Sequence, residues 1–287
     1  MTATAPPLAG PQRLPDAGRW VPGLVAVGLL AFRHLLGLGG LELDPGFFAL
    51  YSLCEFAAAV LCVSRALRYE SERVAWLLLG LGTFASFVGD SLEYALYGNG
   101  SYPSPGLLDA FWLANYPLAA AGLVALVAAR FPKPEPARWL EALQAALLVA
   151  ALGLLAVFQP VLDEKTRSLG RHIVLLSYPL LDILLLGAIL AGFALSGFRP
   201  GRSWVVLGMG LALFVVVDSV LVTTAVGPYT GDLLVAGWPA AHFLVAFSAW
   251  MPAERVRRVA SDDWRTALLP VAAVVAMIGI QLAAIFG

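Results

Sequence analysis

Trp76-Leu77-Leu78-Leu79-Gly80-Leu81-Gly82, followed by Asp90-Ser91, is written a second time in the chain as Trp204-Val205-Val206-Leu207-Gly208-Met209-Gly210, followed by Asp218-Ser219. The offset is 128 (204−76, 218−90); upstream it is 127 (178−51, 182−55), where Tyr51 and Glu55 recur as Tyr178 and Asp182. Leu and Ala coincidences carry little weight in an apolar chain. Trp and Asp are sparse, and an acid inside an apolar helix is costly, so their joint recurrence predicts a duplicated unit of helices. The function is expected where the two copies meet.

The surrounding composition fixes the class. Of 287 residues, 60% are hydrophobic and only 13% charged, and the mean hydropathy is +0.82. That is too apolar for a soluble globular chain and predicts an integral membrane protein whose main partner is the lipid bilayer. A net charge of −1 offers no basic surface, and no zinc or helix-turn-helix pattern accompanies it, so nucleic-acid binding is excluded. Cys54 and Cys62 stand about two turns apart on one expected helix, too far for a disulfide, and read as small apolar packers. Residues 1–19, rich in Pro, Ala and Gly, read as a short disordered tail.

A bilayer core takes about 20 apolar residues per helix. Nine stretches qualify: 20–39, 47–66, 73–97, 107–130, 138–159, 171–196, 203–227, 231–251 and 264–286. The first carries Arg33 and His34 and reads as a retained helix rather than a signal peptide. With the N-terminus in the cytoplasm, the inner loops collect most of the basic residues, among them Arg65, Arg68, Arg73, Arg130, Lys133, Arg199 and Arg202; Lys165, Arg167 and Arg171 alone fall outside. That is the positive-inside bias of a cell-membrane protein with a cytoplasmic N-terminus. The expected fold is all-α and polytopic: one four-helix repeat over 20–130, a second over 138–251, and an extra helix at 264–286. Four helices per unit bring both copies in from the same side, a parallel duplication about an axis along the membrane normal.

The acids then locate a place. Glu55, Asp90, Glu93 and Asp109 in the first unit correspond to Asp182, Asp218 and Asp232 in the second. An acid at the bilayer centre costs about 2.5–3.5 kcal/mol on insertion scales. Asp90 and Asp218 come late in helices that run outward, and Glu55 and Asp182 early in helices that run inward, so these four should converge on a cavity in the outer half of the membrane. Asp90, Glu93, Tyr94 and Tyr97 share one helical face, and Tyr51 and Tyr178 each precede an acid by four, giving each copy a Tyr/acid pair. Ligand-binding candidates are therefore Glu55, Asp90, Glu93, Tyr94, Asp182 and Asp218, with Tyr51, Asp109, Tyr178, Asp232 and His34 as secondary ones. Two alternatives stand beside this. Asp109 and Asp232 follow turn residues and suit helix caps, and the duplicated acids suit interhelical clamps as well as they suit a site.

Other chemistries find no footing. His34, His172 and His242 show no metal-ligand spacing, so no metal or cofactor is expected; Arg33 or His34 would instead neutralise an acid. No nucleophile elbow, zinc-protease motif or phosphate loop is present, so no enzyme is expected. Lys133 and Lys165 lie in loops, which removes retinal Schiff-base chemistry.

Val88-Gly89-Asp90, Tyr94, Gly100, Tyr102-Pro103-Ser104-Pro105, Asp109 and Tyr116-Pro117, with Tyr178-Pro179, Asp182, Asp218 and Trp250-Met251-Pro252 later, form a pattern of polar marks on apolar helices. It resembles the multi-pass N-terminal region of actinobacterial membrane signalling proteins that carry cytoplasmic diguanylate cyclase or phosphodiesterase domains, over about residues 20–255. The resemblance implies a sensory membrane module. Neither output signature occurs in the chain, so cyclase activity is not implied. The expectation is a non-enzymatic sensor whose acidic cavity takes a small ligand, a cation or protons and signals to a cytoplasmic partner. The alternative is an ion-coupled transporter using the same acids, for which Tyr116-Pro117 and Trp238-Pro239 would be matched helix breaks.

Overall fold

The computed structural model describes residues 45–98, 102–130, 169–196, 200–224 and 236–251, with Gly28, Leu140 and Gln144 as isolated positions. These hold six helices and, among the described residues, no strand: α1 Pro45–Arg68, α2 Arg73–Tyr97, α3 Leu107–Arg130, α4 Leu169–Leu195, α5 Arg202–Thr224 and α6 Gly237–Trp250. Apart from those isolated positions, the tail 1–19 and the stretches 20–39, 138–159 and 264–286 lie outside the described residues, as do His34 and Asp232. Five helices are long and apolar enough to cross a bilayer. The sixth, α6, has 14 residues, roughly 21 Å of helix.

Local chemistry sets the helix ends. Gly98 closes α2 in the left-handed conformation (φ 49°), its N–H donating to Tyr94 O at 3.1 Å. Gly106 opens α3, and the Asp109 carboxylate reaches back to accept the Gly106 N–H at 2.8 Å, half of a capping box. The sequence-derived bounds of α2 and α3 coincide with the observed ones. Pro179 and Pro117 lie inside α4 and α3. Pro239 is the third residue of α6, in the first turn where proline is tolerated, so it is not the interior partner of Pro117 expected from the sequence.

The helices close a ring: α1 packs on α2, α2 on α3, α3 on α4, α4 on α5, α5 on α6, and α6 returns to α1. Between lipid-facing helices hydrophobicity supplies no drive, so close backbone approach through small residues does. The Gly-x-Gly of the repeated stretch performs it in both places. A Cβ on Gly80 would lie 3.2 Å from Ala59 O of α1, and one on Gly82 would lie 3.1 Å from Asn115 O of α3. Likewise a Cβ on Gly208 would meet Ile189 of α4 at 3.0 Å, and one on Gly210 would meet Ala241 O of α6 at 3.0 Å. In each stretch the first glycine fits the preceding helix and the second the following one. Leu53, Phe56, Val60 and Leu67 of α1, with Val74, Leu77, Leu81 and Phe84 of α2, stay exposed; their three- and four-residue spacing forms stripes suited to lipid.

One end of the ring is bolted by paired charges. Glu72, in a left-handed turn before α2 (φ 63°), accepts from Arg130 Nε at 2.6 Å and Nη2 at 3.0 Å and from Trp76 Nε1 at 2.9 Å. Arg65, 1% exposed, lies 3.9 Å from Glu72, donates to Ala249 O of α6 at 3.0 Å and covers the Tyr69 ring. Arg130 also stands over the Trp204 ring of α5 at 5.2 Å, and Ser203 Oγ donates to Ser248 O at 3.0 Å. Burial alone would push the Glu72 carboxyl up, but the hydrogen bonds and charge of Arg130, with the Trp76 N–H and Arg65, hold it below the ordinary glutamate value. These contacts tie α1, α2, α3, α5 and α6 together.

Candidate functional site

The opposite end, where α1, α3, α4 and α6 begin and α2 and α5 finish, holds a cavity of about 370 Å³. Glu55 of α1, Asp90 and Glu93 of α2, Asp109 of α3 and Asp218 of α5 line it. Aromatic rings fill the wall between them: Tyr94 stacks on Phe48 with centroids 3.9 Å apart, Tyr102 meets Trp112 edge-on at 5.5 Å, and Tyr116 faces Tyr178 at 6.2 Å. Tyr102 sits in the 98–106 connection, where burial and then the charges of Glu93 and Asp109 push its phenol above the ordinary value.

The first cluster is built on α1 and α2. Trp112 Nε1 donates to Asp90 Oδ1 at 2.8 Å. Gly89 makes this possible, because a Cβ there would fall 2.6 Å from that same indole nitrogen. The Glu55 and Asp90 carboxyls lie within hydrogen-bonding reach of each other, and Tyr51 reaches Asp90. Glu55 Oε1 meets His242 Nδ1 of α6 at 3.0 Å. The other ring nitrogen, Nε2, has no hydrogen-bond partner among the described residues, although the ring is 3% exposed and lines the cavity.

The second cluster is built on α4 and α5. Asp218 accepts from Tyr116 Oη of α3 at 2.9 Å and from Trp238 Nε1 of α6 at 2.7 Å. The buried Asp182 carboxyl lies within hydrogen-bonding reach of it. Two carboxyls at such a distance away from bulk water need something between them, a shared proton or a cation. Asp109, besides capping α3, accepts from Tyr178 Oη of α4 at 3.1 Å, so the cap reading and the site reading hold together.

Of the residues singled out in the sequence, Glu55, Asp90, Glu93, Tyr94 and Asp218 line the cavity, as do Tyr51, Asp109 and Tyr178. Asp182 is not among the lining residues and adjoins Asp218. The expected Tyr178/Asp182 pair does not hold: with Asp109 of α3 available across the helix interface, the Tyr178 hydroxyl points there instead of along its own helix. The hydrogen-bonding partner of Glu55 is the His242 ring; Arg33 and His34, the expected neutralisers, lie outside the described residues. Trp112, Tyr116, Trp238 and His242 were not anticipated. Their signal was available: Trp112/Tyr116 and Trp238/His242 are i, i+4 pairs of hydrogen-bonding rings on α3 and α6.

Fold and cavity together define a multi-pass helical membrane protein with a chamber of carboxyls and aromatic rings at one end of the bundle. The chain matches no family model, no curated protein and no solved structure.

Proposed function

We propose that this protein is a non-enzymatic membrane sensor, built as two four-helix repeats plus one helix, nine in all, in which the cavity faces outward and occupancy of its acids is relayed to a cytoplasmic partner. The observation that carries the reading is convergence: carboxyls from both copies of the repeated stretch reach one cavity instead of facing lipid or standing apart. Two correspondences support the duplication. Trp112 bonds Asp90 as Trp238 bonds Asp218, and Glu55 adjoins Asp90 as Asp182 adjoins Asp218. The ring agrees, since α1 on α6 and α3 on α4 exchange under a two-fold relation. The cavity end is taken as outer because Arg65, Arg68 and Arg130 mark the other end as cytoplasmic. The resemblance to sensory regions of cyclase and phosphodiesterase proteins points to the same role. A ligand that binds one arrangement of the repeats better than another supplies the energy of the signal.

The adjoining carboxyls also favour an ion-coupled carrier, because a site that must hold a proton or cation can couple its movement. Reconstitution in liposomes separates the two. Proton or solute flux that disappears in the Asp90→Asn/Asp218→Asn variant establishes a carrier. Stabilisation by pH or cation without flux, lost in the same variant, establishes the sensor. If that variant alters neither flux nor stabilisation, both readings fail.

A further inference from the structure

Resting on the proposed ligand cavity, we infer that its ligand is a protonated organic amine with an apolar or aromatic body. The first reason is charge. Asp90, Asp109 and Asp218 line the cavity and are each held by neutral donors: the Trp112 N–H, the Gly106 N–H with the Tyr178 hydroxyl, and the Tyr116 hydroxyl with the Trp238 N–H. Such donors orient a carboxylate without supplying a positive charge. Among the described residues none of these three forms an ion pair. Among the described lining residues one guanidinium, Arg171, stands against Glu55, Asp90, Glu93, Asp109 and Asp218, so the wall is acidic on balance and favours a cationic guest over a neutral or anionic one.

Size and wall chemistry come next. About 370 Å³ falls in the range of roughly 300–1,000 Å³ that small-molecule pockets occupy, far more than a bare ion fills. The rings of Tyr94, Tyr102, Tyr116 and Tyr178 stand among the carboxyls, and ring faces attract cations that have surrendered their water. Carboxylate with aromatic wall is the pairing that suits an ammonium group on a carbon skeleton.

His242 supplies the last, independent feature. When Glu55 is ionised it accepts from Nδ1 across the 3.0 Å contact, and a neutral ring then presents Nε2 as an acceptor. That nitrogen has no partner among the described residues and belongs to a residue lining the cavity. It calls for an N–H on the ligand, which an amine salt carries and a quaternary ammonium does not.

Three probes of one shape test this on the full chain in lipid nanodiscs: phenethylamine, 2-phenylethanol and phenylacetate, read by tryptophan fluorescence and thermal unfolding. The expected result is saturable binding of the amine, at least tenfold weaker binding of the alcohol, and none of the acid. Asp90→Asn/Asp218→Asn should weaken the amine at least tenfold and leave the alcohol unchanged. Equal binding of amine and alcohol overturns the inference, as does undiminished amine binding by a folded double variant. Should that variant fail to fold, the three-probe comparison on the unaltered protein decides alone. A response to sodium or to pH, lost in the variant and with no amine binding, overturns the amine and leaves the sensor standing. No response to any probe, to sodium or to pH removes both.

Discussion

The two ends of the bundle bury charge in opposite ways. At the end marked by Glu72, each charge meets its opposite: Arg130 makes two hydrogen bonds to the carboxylate, Arg65 approaches it, and Trp76 adds a neutral donor. At the cavity end, Asp90 and Asp218 meet indole N–H and phenol O–H groups and other carboxyls. The first arrangement is complete in itself. The second is oriented and held by neutral donors, and among the described lining residues one guanidinium, Arg171 of α4, stands against Glu55, Asp90, Glu93, Asp109 and Asp218, so it has room for further positive charge from outside. A buried charge with its partner inside the fold is structural; a buried charge without one marks where something else arrives.

The largest test of that contrast is Glu72→Ala. It strands two guanidinium groups, Arg65 at 1% exposure and Arg130 beside it, and breaking a buried pair from one side costs about 3–5 kcal/mol. Unfolding in detergent with graded denaturant should show a loss of that size; a loss below about 1 kcal/mol, the median for exposed pairs, would mean the bolt does not hold the ring. A middle-sized effect is expected of Gly89→Val at the other end. Its Cβ would fall 2.6 Å from Trp112 Nε1, and overpacking of this kind costs about 1–3 kcal/mol. Tryptophan fluorescence should shift as Trp112 leaves Asp90; an unshifted spectrum with full stability would show that Trp112 is not seated by Gly89.

Legibility in the sequence followed the same division. Acids in apolar helices are rare enough to be noticed, and helical spacing placed Asp90, Glu93, Tyr94 and Tyr97 on one face, of which the first three line the cavity and Tyr97 does not. The ends of α2 and α3 were legible because Arg73, Gly98, Gly106 and Arg130 punctuate them. What stayed hidden depends on contacts between helices distant in sequence. Trp112, Tyr116 and Trp238 resemble interfacial aromatics until the ring closes and aims their polar atoms at Asp90 and Asp218. Arg65 was counted as one more basic loop residue, since nothing local announces that Glu72, in a left-handed turn, will fold over it. The Tyr178/Asp182 pairing failed for the same reason: helical spacing lists candidates, and a neighbouring helix chooses among them.

Acid titration should separate the ends further, by a smaller amount. The Glu72 value is lowered on folding from an unfolded value of about 4.3. The unfolded chain therefore binds the proton first, and the stabilisation from Glu72 is complete above that unfolded value. It is lost as pH falls through the lower folded one. Thermal unfolding of the wild type minus that of Glu72→Gln should be flat from neutral pH to about 5 and decline below about 4. A difference that grows on acidification would reverse the sign and remove Glu72 as the charged member of the bolt.

The smallest effect is expected from Asp218→Asn, and it is the most telling. Tyr116 and Trp238 donate to different Asp218 oxygens; the amide oxygen keeps the Trp238 N–H, and the NH₂ in the other place can donate to the Tyr116 hydroxyl, turned to accept, and to the adjoining Asp182 carboxyl, so a contact that needed a proton or cation becomes an ordinary hydrogen bond. Replacing a buried carboxyl while its hydrogen-bonding neighbours stay engaged should change stability by no more than about 1 kcal/mol, with a gain as acceptable as a loss. Measured beside Glu72→Ala in the same detergent, the variant sets the functional end against the structural one directly. A loss approaching that of Glu72→Ala would mean that Asp218 is already compensated within the protein. The acids would then be interhelical clamps, the two ends would do the same work, and the cavity would have no unmet charge for a ligand to answer.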